Sequence, residues 1–474
     1  MILTDSMQAI INKKILIIQV FLFLVLQFNY IDSSLKPGDG IENLNYAQNI
    51  SKYKKYTLDI KKKESNYREP LYPLLLSINI HIVDSLFSKV NNDFKVKLYK
   101  ITNVLFLLIL GLISFNYSSK ICNSKFIPNF IFFLLCFGHF FPQTNVFLSE
   151  SLAGIFLLMI SFYSFKLYSS NIKFKYLLYI FLLIGIGSYC KSIFILLNYF
   201  YLPILIYCFI KTKNKKIIIL FFVPYIILSP LYLWNYNKFD KITLGTENRS
   251  SWILAIRSYY LTINTKEYMY SFIYNNPVLK HFFLDSKKIN SENINRIDEI
   301  NYKYNFYNYG VSYMLNGEKI LENNYVSNLD FYHNYDIELK NKIKFESIKN
   351  IFQNPFKHLS VSLLMLYKSS SFNDVNSIYY FSKNKNILIK LYFYFHLLIG
   401  FFYLPFFILL SLLSLINREK IFLFVLPTNI LIGLYSLLTF YVPRYNLIFL
   451  PVILIIFFYY LENKRLYPKS LSFF

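Results

Sequence analysis

Apolar residues along this chain come in long runs separated by short basic segments, without the period-two alternation that marks strands. A helix of about 20 apolar residues crosses the hydrocarbon core of a bilayer. Runs near that length lie at 14–31, 98–116, 126–141, 145–165, 176–190, 192–210, 217–234, 391–416, 421–440 and 444–461. The pattern predicts an all-α polytopic membrane protein, with a bundle of roughly ten to twelve transmembrane helices.

The short loops indicate how this bundle is oriented. If the N terminus is cytoplasmic, basic clusters near residues 120–125, 166–175, 211–216, 418–420 and 464–465 all fall on the cytoplasmic side. Short loops rich in Lys and Arg stay in the cytoplasm, whereas long loops are not bound by this rule. We therefore expect a cytoplasmic N terminus.

Two longer segments would then be extracytoplasmic, a first external loop at 32–97 and a segment at 236–386. Within the first, residues 71–82 are apolar but too few to span, so they are expected to lie in the interface or to re-enter. The predicted organisation is an N-terminal transmembrane module (1–235) containing this loop of amphipathic helices, a small extracytoplasmic subdomain (236–386) and C-terminal transmembrane helices (387–474).

Composition supports the membrane assignment and excludes a nucleic-acid partner. The chain has 474 residues, of which 55% are hydrophobic and only 16% charged, whereas soluble domains are about one quarter charged. Its net charge of +24 comes from lysines lying between apolar runs, and no nucleic-acid-binding motif accompanies them. Its four cysteines have no CxxC spacing and are expected to be packing residues.

Ionisable residues at the predicted outer ends of the spans are the candidates for chemistry, because charges near the bilayer are costly and tend to be functional. They are Asp39, Arg68, Glu69, Glu150, Lys191 and Arg444. Glu150 lies about one turn inside an apolar run, so its carboxylate must face the protein interior or a water-filled cavity, or be protonated.

Each of the other candidates also has a structural interpretation. Asp39 precedes a segment of helical periodicity and is a plausible N-cap, with Glu42 at the capping-box position. Lys191 and Arg444 can snorkel from helix ends to the interface, although a guanidinium also suits phosphate. Arg68 could simply be solvated.

The order of several short motifs resembles that of GT-C-type membrane glycosyltransferases, such as the aminoarabinose and protein O-mannosyl transferases. A first-loop Gly-Asp-Gly around Asp39 is followed by the Tyr-Arg-Glu-Pro stretch that contains Arg68 and Glu69. An acidic motif at Glu150, a basic turn at Lys191 and a late Pro-Arg-Tyr around Arg444 come next. The resemblance covers most of the first 250 residues and the last helix pair.

The resemblance implies a sugar transferase that uses a polyprenyl-phosphate-linked donor and works on the outer membrane face. Asp39 would be the general base on an acceptor hydroxyl, and Glu150 the second carboxylate. Arg68, Lys191 and Arg444, with Glu69 beside them, would bind the substrate and its phosphate. A divalent metal, if one is used, would take oxygen ligands from Asp39 and Glu150; the acceptor would be a glycan, a lipid or a protein.

Two other functions remain open on the sequence alone. A polysaccharide polymerase or ligase shares multiple spans and a large external loop, and a lipid-linked sugar flippase or transporter is a different class. Flippases built from repeated halves should place charges on both membrane sides, whereas the candidates here share one side. The composition is typical of an AT-rich genome, and we expect a bacterial inner membrane location.

Overall fold

A computed structural model of the protein describes residues 5–35, 38–61, 68–138, 140–169, 173–240, 242–245, 247–262, 264, 314, 336–370, 403–438 and 445–463. Regular structure in these ranges is helical, with no strand. The chain divides into two compact units. The first comprises Met1–Gly245, Tyr403–Leu431 and Arg444–Phe474, and the second Thr246–Phe402 and Ile432–Pro443.

The described helices are numbered in chain order. They are α1 (Asp5–Tyr30), α2 (Asp39–Tyr53), α3 (Leu71–Leu86), α4 (Asn92–Ile121), α5 (Ile127–Phe137), α6 (Glu150–Ser169), α7 (Phe174–Ser188), α8 (Ser192–Thr212), α9 (Lys216–Phe239), α10 (Glu247–Tyr260), α11 (Ile337–Gln353), α12 (Pro355–Ser370), α13 (Tyr403–Ile416), α14 (Ile421–Leu438) and α15 (Asn446–Asn463).

Seven of these helices are long and apolar enough to cross a membrane: α1, α4, α6, α8, α9, α14 and α15. The chain is therefore an integral, multi-pass α-helical membrane protein, as the hydrophobic pattern predicted. On α1 the side chains of Ile17, Phe21 and Phe28 are exposed. Such a surface is suited to contact with lipid and costly in water.

The other predicted spans correspond to shorter apolar helices. The run at 126–141 forms α5, which has only 11 residues, and the run at 176–190 forms α7, which has 15. At a rise of about 1.5 Å per residue, neither reaches the roughly 30 Å of a hydrocarbon core. The run at 391–416 is described only over α13, and 391–402 lie outside the described residues.

Helix α4 organises the first unit, because it packs against α1, α3, α5, α6 and α15. It begins where the side chain of Asn91 accepts a hydrogen bond from the Phe94 amide at 2.9 Å, which caps the helix. Its buried side includes Leu107, Leu110 and Ser114. Ser114 is one of the small residues that allow close helix packing within a membrane.

Near the start of α4, Lys100 fixes the beginning of the first loop. Its side chain is fully buried. The ammonium donates to the carbonyl oxygens of Asp32 and Ser34, both at 2.8 Å, to Asp32 Oδ1 at 3.1 Å and to Asn145 Oδ1 at 3.3 Å. Burial alone would raise the pKa of Asp32, but hydrogen bonds from Ser34 and Lys100 and the charge of Lys100 together lower it.

In the second unit, α10 packs along α11 and carries a buried arginine. Arg257 donates to Ser362 Oγ at 2.5 Å and to Met365 Sδ at 2.9 Å, and its Nη2 lies 3.2 Å from His358 Nδ1. These three partners belong to α12. Burial, together with the charge of Arg257, lowers the pKa of His358 to about 4. A neutral imidazole can accept the arginine hydrogen bond.

Replacing Lys100 with Met should destabilise the first unit by about 2 to 4 kcal/mol, since buried carbonyl and amide oxygens lose their donor. The measurement is the midpoint of thermal unfolding of the detergent-solubilised chain. Lys97→Met, at an exposed position of the same helix, is the matched control and should leave the midpoint within about 1 °C. Equal midpoints for the two variants would contradict the role of Lys100.

Candidate functional site

Helix α2 begins at Asp39, one residue earlier than an N-cap role for this residue requires, so that prediction is wrong. Gly38 occupies the cap position with a φ of 106°, and no side chain caps the helix. A positive φ of this kind favours glycine. The second glycine, Gly40, lets α2 pack closely against residues 146–147. A Cβ at this position would lie 3.0 Å from Val146 Cγ1 and 3.3 Å from the Phe147 amide nitrogen.

The carboxylates of Asp39 and Glu42 meet the guanidinium of Arg68. Nε of Arg68 donates to Glu42 Oε2 at 2.7 Å, and Nη2 donates to Asp39 Oδ1 and Glu42 Oε2. The arginine side chain is only 8% exposed, whereas that of Asp39 is 31% exposed. A buried guanidinium with two carboxylates is compensated in charge, while Asp39 keeps an accessible edge.

The position of Arg68 is fixed by its neighbours along the chain. Its carbonyl oxygen accepts a hydrogen bond from the Tyr56 hydroxyl. Glu69 Oε1 accepts from the Ser192 hydroxyl at 3.2 Å and from the Ser192 amide at 3.4 Å, at the start of α8. The Leu71 amide donates to the Tyr189 carbonyl oxygen at 3.0 Å. Residues 68–71 thus connect α2 to the turn between α7 and α8.

On this same turn, Lys191 pairs with Glu150. Its Nζ lies 3.6 Å from Glu150 Oε1, and the two side chains are 15% and 3% exposed. Of the alternatives expected for Glu150, the structure has the carboxylate in the protein interior, paired with a lysine from the turn between α7 and α8. Lys191 Nζ also lies 5.8 Å from the centre of the Tyr445 ring, within the range of a cation–π contact.

Buried polar groups fix the segment that precedes Glu150. The Tyr72 hydroxyl donates to Asn103 Oδ1 at 2.6 Å, and the Asn103 amide donates to the Val146 carbonyl oxygen. Asn43 Nδ2 donates to the Phe147 carbonyl oxygen at 2.9 Å. Helices α2 and α4 therefore both donate hydrogen bonds to residues 146–147, which lead into Glu150. Helix α3 donates to α4 beside them.

Cys190, which directly precedes Lys191, is a packing residue and not a candidate nucleophile. It is fully buried, and burial raises the pKa of its thiol. Its Sγ lies 3.8 Å from the Ser149 carbonyl oxygen. All four cysteines are buried and free, as expected for packing residues.

Four of the six candidate residues form two charge pairs, Asp39 with Arg68 and Glu150 with Lys191. A fifth, Glu69, lies in the segment 68–71 between them and accepts from Ser192. Arg444 lies outside the described residues, although the next residue, Tyr445, contacts Lys191. Glu42 was expected to be structural, yet it shares Arg68 with Asp39. Its spacing of three residues from Asp39 on a helix was the signal, because such residues are neighbours on one face.

The described residues contain no group of three or more His, Cys, Asp or Glu side chains suited to a metal ion. Asp39 and Glu150 are engaged by Arg68 and Lys191, respectively. The chain was also compared with known proteins. No protein-family model, curated protein or solved structure matches it.

Replacing Lys191 alone should lower the free energy of unfolding more than replacing both Glu150 and Lys191. Lys191→Met leaves a buried carboxylate without its counter-charge and should destabilise the chain by about 3 kcal/mol. The double variant Glu150→Gln/Lys191→Met should recover part of that loss. The measurement is the thermal unfolding midpoint of the wild type, Glu150→Gln, Lys191→Met and the double variant. If the losses of the two single variants add up to that of the double variant, the two residues do not interact.

Proposed function

We propose that this protein is a membrane glycosyltransferase that moves a sugar from a polyprenyl-phosphate-linked donor to an acceptor hydroxyl on the non-cytoplasmic face. The observation that carries the proposal is the accessible carboxylate of Asp39, which Arg68 holds at the start of α2. Residues 68–71 join it to the Glu150–Lys191 pair. The motif order that resembles GT-C-type enzymes supports the same assignment.

In the proposed reaction, Asp39 is the general base. A sugar hydroxyl is a poor nucleophile until its proton leaves, and a carboxylate within hydrogen-bonding distance can take that proton as the new bond forms. The acceptor oxygen bonds to the anomeric carbon, the bond from that carbon to the phosphate oxygen breaks, and the polyprenyl phosphate departs with the electron pair. Arg68 and Glu42 position the Asp39 carboxylate.

The departing phosphate gains charge as the bond breaks, so cations placed beside it lower the barrier. Lys191 and Arg444 have this role in the proposal. Glu150 sets the position of the Lys191 ammonium, and Glu69 fixes the start of α8 through Ser192. Arg68 is an orienting residue here rather than a phosphate ligand, because two carboxylates already surround its guanidinium.

Asp39 and Glu150, the oxygen ligands expected for a divalent cation, are already paired with Arg68 and Lys191, so this arrangement does not favour a bound metal ion. No step above depends on it. The proposed location is a bacterial inner membrane, with the active site on the periplasmic or extracellular side and the basic loops in the cytoplasm. Substrates of this kind reach the site from the lipid phase, which suits residues at the ends of apolar helices.

Asp39→Asn should slow sugar transfer by at least about 100-fold, because the amide cannot accept the proton. Membranes containing the protein are incubated with a panel of radiolabelled undecaprenyl-phosphate hexoses and pentoses. The measured product is free undecaprenyl phosphate together with transferred sugar. Asp59→Asn makes the same change at an exposed position of the first loop and should retain full activity.

Full activity of Asp39→Asn, with expression equal to wild type, would reject Asp39 as the base. The same assay separates the alternatives. A flippase would move the lipid-linked sugar across the bilayer with its sugar–phosphate bond intact. A polymerase or ligase would transfer a whole lipid-linked glycan and leave monosaccharide donors untouched.

The proposed orientation predicts that position 55 is outside the cell and position 211 inside. Lys55 and Lys211 are both exposed, and the four native cysteines are buried, which keeps background labelling low. A membrane-impermeant maleimide added to intact cells should label Lys55→Cys and should label Lys211→Cys only after lysis. The reverse pattern would place the candidate site in the cytoplasm.

A further inference from the structure

At the end of the first unit that carries the basic loops, two lysines from different helices approach the same aromatic pair. Tyr117 of α4 and Phe162 of α6 stack with ring centres 3.8 Å apart and planes 4° from parallel. Nζ of Lys120 lies 5.6 Å from the Phe162 centre, and Nζ of Lys166 lies 5.4 Å from it. The ammonium groups of Lys120 and Lys166 therefore both lie beside the Phe162 ring.

The rings do not account for the position of Lys120. Its ammonium is 5.9 Å from the Tyr117 centre and 5.6 Å from the Phe162 centre. Because the two rings are stacked, an atom nearly equidistant from both lies beside their edges and over neither face. The attractive part of a ring quadrupole is its face, so the stacked pair offers Lys120 little compensation.

The arrangement continues onto α7. The Phe162 ring contacts Tyr163 at 5.9 Å, and Tyr163 in turn stacks on Tyr176 at 6.2 Å. Nζ of Lys175 lies 5.3 Å from the Tyr176 ring centre. Helices α4, α6 and α7 thus each place a lysine beside a connected row of aromatic rings.

Helix geometry favours each of the two lysines separately. Lys120 and Lys166 lie in the last turns of their helices, where partial negative charge of about half a unit favours a cation. That effect acts on each lysine separately and does not bring two ammonium groups to one ring. Glu462 lies near the end of α4, where it accepts a hydrogen bond from the Asn123 amide at 2.8 Å.

Below Lys120, α4 exposes an apolar stripe. Leu105, Ile109 and Leu112 are 48%, 42% and 37% exposed, and exposed Asn116 follows at the same helical spacing. Residues three and four apart share one helix face, so the stripe leads along α4 to the lysine. An apolar track ending in a cation matches an acyl chain that ends in an anionic headgroup.

We propose that Lys120, Lys166 and the Tyr117–Phe162 pair form a binding site for the phosphate headgroup of an anionic phospholipid, with an acyl chain along the exposed face of α4. Basic clusters next to transmembrane helices attract anionic lipids by about 1 kcal/mol per lysine. The site is independent of the sugar-transfer proposal. Lys166 lies in the last turn of α6, whereas Glu150 begins that helix.

The test is lipid binding to the purified full-length chain in detergent, followed by native mass spectrometry. Dioleoyl phosphatidylglycerol is the probe, and dioleoyl phosphatidylethanolamine, which is zwitterionic and has no net charge, is the comparison. Lys120→Gln/Lys166→Gln should weaken phosphatidylglycerol binding by about tenfold or more. Lys13→Gln/Lys14→Gln removes the same charge from exposed positions on α1 and should change binding by less than about twofold.

Equal loss in both double variants would show a general charge effect and overturn the site. Equal binding of the two lipids to the wild-type chain would also overturn it. Displacement of phosphatidylglycerol by millimolar inorganic phosphate would identify free phosphate as the ligand instead. If the Lys120/Lys166 variant fails size-exclusion chromatography, Lys120→Gln is used alone. The expected loss is then about fivefold, and an unchanged affinity would count against the proposal.

Discussion

The first unit depends on one constraint, which is that a charge withdrawn from water at the end of an apolar helix needs a partner within the protein. Lys100, Arg68 and Lys191 each meet it with a carboxylate from a distant part of the sequence. The Lys100–Asp32 pair fixes the start of the first loop against α4, the Arg68–Glu42 pair holds two parts of that loop together, and the Glu150–Lys191 pair fixes α6 against the turn between α7 and α8. The ion pairs specify one arrangement of these segments, whereas apolar side chains that face lipid would permit many arrangements.

These pairs also explain why the candidate residues meet. Asp39 and Glu150 are separated by more than a hundred residues, yet both lie beside the segment that connects α2, α3 and the turn before α8. Arg68 faces the α2 carboxylates, whereas the adjacent Glu69 faces Ser192. A two-residue segment with opposite charges thereby joins two otherwise separate ion pairs.

Much of the fold could be predicted from the sequence, because a run of twenty apolar residues has few alternatives to a membrane helix. The lengths of α5 and α7 could not, since hydropathy does not mark the residue at which a helix ends. The cap assignment for Asp39 failed for a similar reason. A local rule favours aspartate at the cap, but the positive φ of Gly38 and the contact of Asp39 with Arg68, 29 residues away, determined the outcome.

Partners were the least predictable part of the site. Hydropathy and loop charge located Arg68, Glu150 and Lys191 near the helix ends but said nothing of which would pair. Likewise, no motif marked Arg257, whose burial against His358 and Ser362 arises from the packing of α10 on α12 within the second unit. Pairings of this kind depend on tertiary contacts rather than on spacing along the chain.

The contact between Glu69 and Ser192 has a mechanical consequence. The carboxylate accepts from the first amide of α8, so a side chain from a loop performs the capping that a helix usually obtains from its own sequence. A displacement of residues 68–70 that withdraws Glu69 also withdraws the acceptor from that amide. The position of residues 68–70 and the capping of the first turn of α8 are therefore coupled through this one carboxylate.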